Sequence, residues 1–139
     1  MRLTALLVAL ALTGCVSQEV AYTPRGDARN PEAVIEQVLM EQDEDRRPDY
    51  VRTTREYVEY GRGATTKFNE FTDKTTAHRN VTRLYFRSVA TEKVYTKRNN
   101  VIVQFRNSAG TLLAQVVTDN LDSGRRLVDA VETMKGREH

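Results

Sequence analysis

The spacing of hydrophobic and polar residues predicts one helix early in this chain and another at its end. From Pro31 to about Asp43, apolar residues recur every three or four positions, and Asn30 is the expected N-cap. The same spacing returns after Asp119, the expected N-cap of the last helix, which Gly136 is expected to end. Each helix therefore presents one apolar face to a core. The stripe of the last helix comprises Leu121, Leu127, Val128, Val131 and Met134.

Between the two helices the pattern changes to an alternation of apolar and polar residues, which is typical of half-buried β-strands. A first strand is predicted over 50–60, with the turn Gly61-Arg62-Gly63 after it. Further strands are predicted over 65–73, 81–89, 93–97, 101–106 and 111–118, the first of these being the weakest, and 73–80 is predicted to be a polar connection or an edge strand. The short polar turns at 98–100 and 107–110 predict hairpins, so the sheet is expected to be antiparallel.

These elements predict an α+β fold with an N-terminal helix, an antiparallel sheet and a C-terminal amphipathic helix that caps the sheet. An antiparallel sheet must bury its apolar face, and the last helix is the available cover. The element order over 50–136 resembles the pleckstrin-homology-like fold, in which a bent sheet or half-open barrel is capped by a final helix. The resemblance implies no particular activity, because one fold can host many functions.

The first 14 residues follow neither the helical spacing nor the alternation of a strand. Arg2 precedes an almost wholly apolar run over 5–12, and small residues then lead to Cys15. This is the pattern of a secretory leader, and the run is too short for a bilayer, which needs about 20 helical residues. The segment Leu12-Thr13-Gly14-Cys15 resembles the lipobox of bacterial lipoproteins, in which the cysteine thiol receives diacylglycerol and the cysteine becomes the new N-terminus.

This resemblance implies that Cys15 is the lipid attachment site and carries several fatty acyl chains, such as palmitate. Several chains are needed for stable anchoring in a membrane. The lipoprotein sorting rule implies, from Val16 after the cysteine, an outer-membrane location facing the periplasm. The expected organisation is a signal peptide over 1–14, the lipidated cysteine and a flexible tether over 15–30, and a single globular domain over 31–139.

Composition narrows the class of partner. The chain has 139 residues, and its 21 Lys and Arg include Arg2 of the leader, which leaves 20 against 19 Asp and Glu. Such a balance argues against a nucleic-acid partner, because nucleic-acid-binding proteins usually carry a clear excess of basic residues. Cys15 is the one cysteine of the chain, so neither an intramolecular disulfide nor a multi-cysteine metal site is possible.

The residues that usually carry catalysis form no recognisable constellation. The two histidines are His78, in a polar stretch, and His139, at the end of the chain. The acidic run at 41–45 departs from a calcium-binding loop, because Pro48 stands where that loop needs a glycine. The sequence therefore predicts no catalytic, cofactor-binding or metal-binding residues and no cofactor.

Two segments repeat the order base, tyrosine, base at alternate positions, and alternate residues of a strand share a face. If the two strands pair, the sheet displays a cationic and aromatic panel suited to lipid phosphates, acidic glycans or an acidic protein loop. The alternative is an ordinary solvated outer face of a half-buried sheet. The panel comprises Arg83, Tyr85, Arg87, Lys93, Tyr95 and Lys97.

Two functional hypotheses follow. The first is a lipid-anchored, non-catalytic accessory or interaction protein of the bacterial cell envelope, with the membrane and an envelope protein or anionic envelope component as partners. The alternative is an envelope carrier or sensor of a small hydrophobic or lipid ligand, held in a cavity between the sheet and the closing helix.

Overall fold

The computed structural model describes residues 17–69 and 74–137. The predicted leader and Cys15 lie outside these ranges, as does His139. The described elements are β1 (Gln18–Val20), α1 (Pro31–Met40), β2 (Tyr50–Thr53), β3 (Tyr57–Asn69), β4 (Lys74–Tyr85), a 3₁₀ turn (Phe86–Ser88), β5 (Thr91–Lys97), β6 (Asn100–Arg106), β7 (Leu112–Thr118) and α2 (Leu121–Arg137). Within these ranges, no helix combines the length and the apolar character that a membrane crossing requires.

The strands form two antiparallel sheets, one of four strands in the order β1-β5-β6-β7 and one of three in the order β2-β3-β4. The prediction of an α+β fold is confirmed. The two sheets do not close into the half-open barrel named above, because at the 3₁₀ turn the chain passes from the three-stranded sheet to the four-stranded sheet. The helix at Pro31 is also not the first element, since β1 precedes it.

The core lies between the four-stranded sheet and α2. On β6, Val101, Val103 and Phe105 are buried, as strand alternation requires. The predicted stripe of α2 is buried against them from Leu127 to Met134. The helix approaches β6 so closely that a Cβ at Gly124 would lie 3.0 Å from Val101 Cγ1. Buried residues of α1 also belong to this core, namely Ile35, Val38 and Leu39.

The ends of the helices differ from the predicted caps. Asn30 has left-handed backbone angles (φ 48°) and makes no side-chain cap, although its carbonyl accepts a hydrogen bond from Val34 N. At α2 the cap is Asn120 rather than Asp119, because Asn120 Oδ1 accepts a hydrogen bond from Ser123 N at 2.8 Å. Gly136 does not end the helix, which continues to Arg137.

The single strand predicted over 50–60 is in fact two strands, β2 and β3, joined by a turn. Thr54 makes this turn by accepting hydrogen bonds on Oγ1 from the backbone N–H groups of Glu56 and Tyr57. Gly61, predicted as a turn residue, lies inside β3, where a Cβ would collide with the carbonyl oxygen of Asn80. Gly61 therefore allows β3 and β4 to approach each other closely.

The segment predicted as a flexible tether is folded against the domain from Gln18 onward. Strand β1 pairs with β5 from Gln18 opposite Thr96 to Val20 opposite Val94. Further along, Ala28 N donates a hydrogen bond to Thr133 Oγ1 of α2 at 3.0 Å. Residues 18–30, called the strap below, thus link the edge of the sheet to α2 and to α1.

Candidate anion-binding cleft

The six-residue panel predicted from sequence does not form, because β4 and β5 belong to different sheets. Arg83 and Tyr85 lie on β4, which pairs with β3, whereas β5 pairs with β1 and β6. Arg87 lies in the 3₁₀ turn between the two sheets. The pairing on which the panel depended is therefore absent, and the two halves of the panel lie in different surroundings.

The β4 half stabilises its own sheet. Arg83 Nε donates a hydrogen bond to Glu59 Oε2 at 2.8 Å, and its guanidinium carbon lies 4.7 Å from the centroid of the Tyr57 ring. The Tyr57 and Tyr85 rings pack at 5.4 Å between centroids. Hydrogen bonds from Arg83 hold the pKa of Glu59 below its ordinary value. Arg83 is thus already engaged by neighbours on β3 and β4.

The β5 half does share one face, the outer face of the four-stranded sheet. Lys93 Nζ lies 3.5 Å from Glu19 Oε1 of β1, so this end of the face is occupied by an ion pair. Tyr95 lies opposite Ile102 of β6, and Ile102 lies opposite Val117 of β7. Lys97, at the end of β5, lies at the margin of a surface cleft.

This cleft has a volume of about 450 Å³ and brings together cations from two distant parts of the chain. Lys97 and Arg98 come from the β5–β6 turn, and Arg46 comes from the loop between α1 and β2. The set, called the basic cleft below, is lined by Arg46, Lys97, Arg98, Asn100, Ile102, Gln115 and Val117. No carboxylate is among these lining residues, so the basic cleft suits an anion.

Acidic residues border the cleft from the α1–β2 loop. Asp43 Oδ2 lies 3.2 Å from Arg46 NH1, and both side chains are about half exposed, so this ion pair contributes little. A neighbouring depression of about 420 Å³ shares Arg46 with the cleft and also contains Asp45 and Arg62. The acids therefore lie beside cations at the rim.

The backbone of Arg98 is unusual for a residue with a side chain. Its φ is 54°, in the left-handed region that glycine adopts without steric cost. At the other hairpin of the same sheet, the left-handed position is occupied by Gly110 (φ 80°). The β5–β6 turn thus places an arginine where the backbone conformation favours glycine, and retaining it carries a conformational cost.

The opposite end of β5 is acidic. Glu92 shares the core-facing side of β5 with Val94, and its Oε1 is buried without a hydrogen-bond partner among the described residues. Burial, and then the charge of Glu132 and a hydrogen bond with it, raise the pKa of Glu92 to about 8. Asp129 raises it further, whereas Lys135 opposes the shift. Glu92 is therefore protonated in the folded protein at neutral pH.

The strap is fastened beside this acidic cluster. Tyr22 OH donates to both carboxylate oxygens of Asp129, at 2.8 and 2.7 Å, and Arg25 N donates to Oδ1 at 2.8 Å. Burial and the bond to Asp129 raise the pKa of Tyr22 to about 12, so its hydroxyl stays a donor across the physiological range. The Arg125 guanidinium carbon lies 5.4 Å from the Tyr22 ring centroid.

The described residues also bear on metal binding, on His78 and on the hydrophobic-ligand alternative. In the described ranges, no three His, Cys, Asp or Glu side chains are placed to hold a metal ion. His78 lies on β4 with its backbone opposite Thr65 of β3. The interface between sheet and α2, where the hydrophobic-ligand alternative places its cavity, is filled by buried side chains such as Val103, Leu127 and Val131.

Neither the basic cleft nor the acidic cluster is predicted by the sequence pattern. Arg46 and Lys97 lie about 50 positions apart, and no local pattern signals that their segments meet. The acidic cluster did have a signal, because Glu92 occupies an inward position in an alternating strand. Comparison of the chain with known protein families, with curated proteins and with solved structures finds no match.

Proposed function

We propose that this chain is a lipid-anchored, non-catalytic interaction protein of the bacterial cell envelope. Acyl chains on Cys15 hold the domain at the outer membrane, facing the periplasm. Anchoring raises the local concentration of a binding surface near the bilayer, which is sufficient for an accessory role without chemistry. The proposal rests on the lipobox residues Leu12 to Cys15 and on the leader before them.

The described residues add to this proposal a short distance between the lipobox and the first strand. Only Val16 and Ser17 separate Cys15 from Gln18, where β1 begins. Three residues span at most about 11 Å, so the acylated cysteine and the folded domain are immediate neighbours.

The test is the chemical state of the mature N-terminus. The full chain is expressed in a bacterial host fed with an alkyne-tagged fatty acid, and the protein is isolated from the membrane fraction. We expect the label on the protein, and a mass for the N-terminal peptide that corresponds to Cys15 with several acyl chains. Density-gradient separation of inner and outer membranes then locates it.

The matched control is Cys15→Ser, which keeps the leader and removes the acyl acceptor. This variant should lose the label and keep the leader. A free Cys15 thiol, or an uncleaved leader on the unchanged chain, would refute the anchor. Labelled protein found in the inner membrane would refute the outer-membrane assignment alone.

A further inference from the structure

We propose that the basic cleft binds the phosphate group of a membrane phospholipid, so that the β5–β6 end of the four-stranded sheet faces the bilayer. This inference rests on the proposed function, since the anchor brings the lipid within reach. It adds a partner, the phospholipid headgroup, and an orientation of the domain at the membrane.

The lining of the cleft matches the chemistry of a phosphodiester. Arg46 and Arg98 can each offer two parallel N–H donors to phosphate oxygens, and Lys97 adds a third positive charge. An anion in the cleft is attracted to all three of these positive charges. The apolar side chains of Ile102 and Val117 suit the glycerol carbons beside the phosphate.

The position of the cleft places it next to the anchor. Gln18 lies opposite Thr96, one residue before Lys97, and paired strands are about 4.8 Å apart. Cys15 lies at most about 11 Å beyond Gln18 along the chain. The headgroup layer on each side of a bilayer is about 5–8 Å thick. With the acyl chains inserted, lipid phosphates therefore lie at the depth that Lys97 and Arg98 reach.

The acidic residues at the rim do not block this binding. Asp43 holds Arg46 in an exposed ion pair, which Arg46 can exchange for a phosphate at little cost. Anchoring also supplies headgroups at high effective concentration. A cleft whose affinity is too low to bind free lipid in solution is therefore occupied at the membrane. Each cation near an anionic surface strengthens binding about five-fold.

The left-handed backbone of Arg98 is the second line of support. A conformational cost that a glycine would avoid is often found where a side chain serves a function. The other hairpin of this sheet uses Gly110 at its left-handed position. That hairpin lies at the far end of β6, away from β1, so of these two left-handed positions it is the one nearer Gln18 that carries an arginine.

The experiment uses the mature acylated protein, reconstituted into vesicles that contain phosphatidylglycerol and a lipid with a nitroxide-labelled headgroup. The chain has no tryptophan, so one introduced tryptophan reports a single position. Asn99→Trp places it in the exposed β5–β6 turn, and Ser108→Trp places it in the exposed β6–β7 turn. We expect the nitroxide to quench fluorescence several-fold more strongly at position 99.

Charge-matched variants test whether the cleft sets this orientation. Lys97→Gln with Arg98→Gln removes two cations of the cleft and should bring the ratio of quenching at 99 to quenching at 108 close to one. Arg87→Gln with Lys93→Gln removes the same charge at the opposite end of β5 and should leave the ratio unchanged. All four positions lie at or near the surface, and a melting curve confirms that each variant is folded.

Three outcomes would overturn the inference, and they are distinguishable. Equal quenching at 99 and 108 in protein whose mass confirms acylation would refute the orientation while leaving the anchor intact. Loss of the difference in millimolar inorganic phosphate would assign the cleft to a soluble phosphate instead of a lipid. A mature protein without acyl chains would refute the proposed function itself, and with it this inference.

Discussion

The two ends of strand β5 carry opposite chemistry. At its C-terminal end, Lys97 and Arg98 meet Arg46 in an open cleft with no lining carboxylate. Near its N-terminal end, Glu92 faces Glu132 and Asp129 in a half-buried cluster beside the strap. Five residues of strand separate the two ends by about 17 Å, roughly twice the screening length at physiological salt, so the charges at one end act only weakly on those at the other.

The difference lies in which end is coupled to folding. Exposed cations keep their hydration in the folded state, so the basic end contributes little to the free energy of unfolding. A half-buried carboxyl group loses hydration, so the acidic end makes stability depend on pH. Substitutions at the acidic end should therefore change stability, whereas substitutions at the basic end should change binding.

The largest expected effect is that of Glu92→Gln. Because the folded pKa of Glu92 is about 8, above its ordinary value of 4.5, the folded state binds more protons than the unfolded state between these pH values. Stability therefore falls as pH rises through this window, by about 3 kcal/mol after allowance for partial exposure. Glutamine mimics the protonated acid. Urea unfolding should therefore show the variant to be about as stable as the unchanged protein at pH 5 and more stable than it at pH 8.5.

The control for this titration is Glu36→Gln, which neutralises an exposed carboxylate on α1. It should retain the fall in stability between pH 5 and pH 8.5. If Glu92→Gln kept the same fall, the acidic end would be no more coupled to folding than the basic end, and the contrast would fail.

Tyr22→Phe should have the next largest effect. It removes the hydroxyl that donates to Asp129 and leaves a carboxylate with one donor fewer, at a cost of about 2 kcal/mol for a charge-assisted hydrogen bond. Hydrogen exchange should accelerate at the β1 amides more than at the β6 amides, because the strap is fastened there. Tyr95→Phe, on the outer face of β5, is the matched control and should leave both quantities unchanged.

The smallest effect expected is at the basic end. Arg98→Gly removes the conformational cost of the left-handed backbone and should raise the free energy of unfolding by about 0.5–1 kcal/mol. Arg98→Gln removes the charge but keeps the backbone conformation, so its stability should match the unchanged protein within about 0.5 kcal/mol. A loss of more than 1 kcal/mol in both variants would mean that the arginine stabilises the fold, against the division of roles along β5.

Sequence patterns predicted the elements that alternate or repeat cleanly. Strands β5, β6 and β7 with their two hairpins, and the buried stripe of α2, follow from local periodicity because each buries one face. The same reasoning joined 50–60 into one strand, since nothing in Thr54-Arg55-Glu56 resembles a glycine turn. The hydroxyl of Thr54 makes that turn. Gly61, which was predicted to lie in a turn, instead allows two strands to approach closely.

The candidate sites could not be predicted as well, because they depend on which segments meet. Whether β4 pairs with β5 is decided by the turn at Phe86–Ser88, where the chain leaves the three-stranded sheet and enters the four-stranded sheet with Phe86 buried. Arg46 reaches Lys97 only through the path of the α1–β2 loop. The strap likewise seemed polar and unstructured, since its order comes from partners on β5 and α2 and not from a pattern of its own.

The direction of β1 determines how the domain responds to a pull applied at the start of its first strand. Because β1 runs antiparallel to β5 with its first residue at the β5–β6 end, tension applied through the residues before Gln18 along the strand axis shears its hydrogen bonds. Bonds loaded in shear share the force and break together, whereas tension across the sheet would peel them one at a time. The three paired residues of β1 therefore form a small mechanical clamp whose strength depends on the angle of pull.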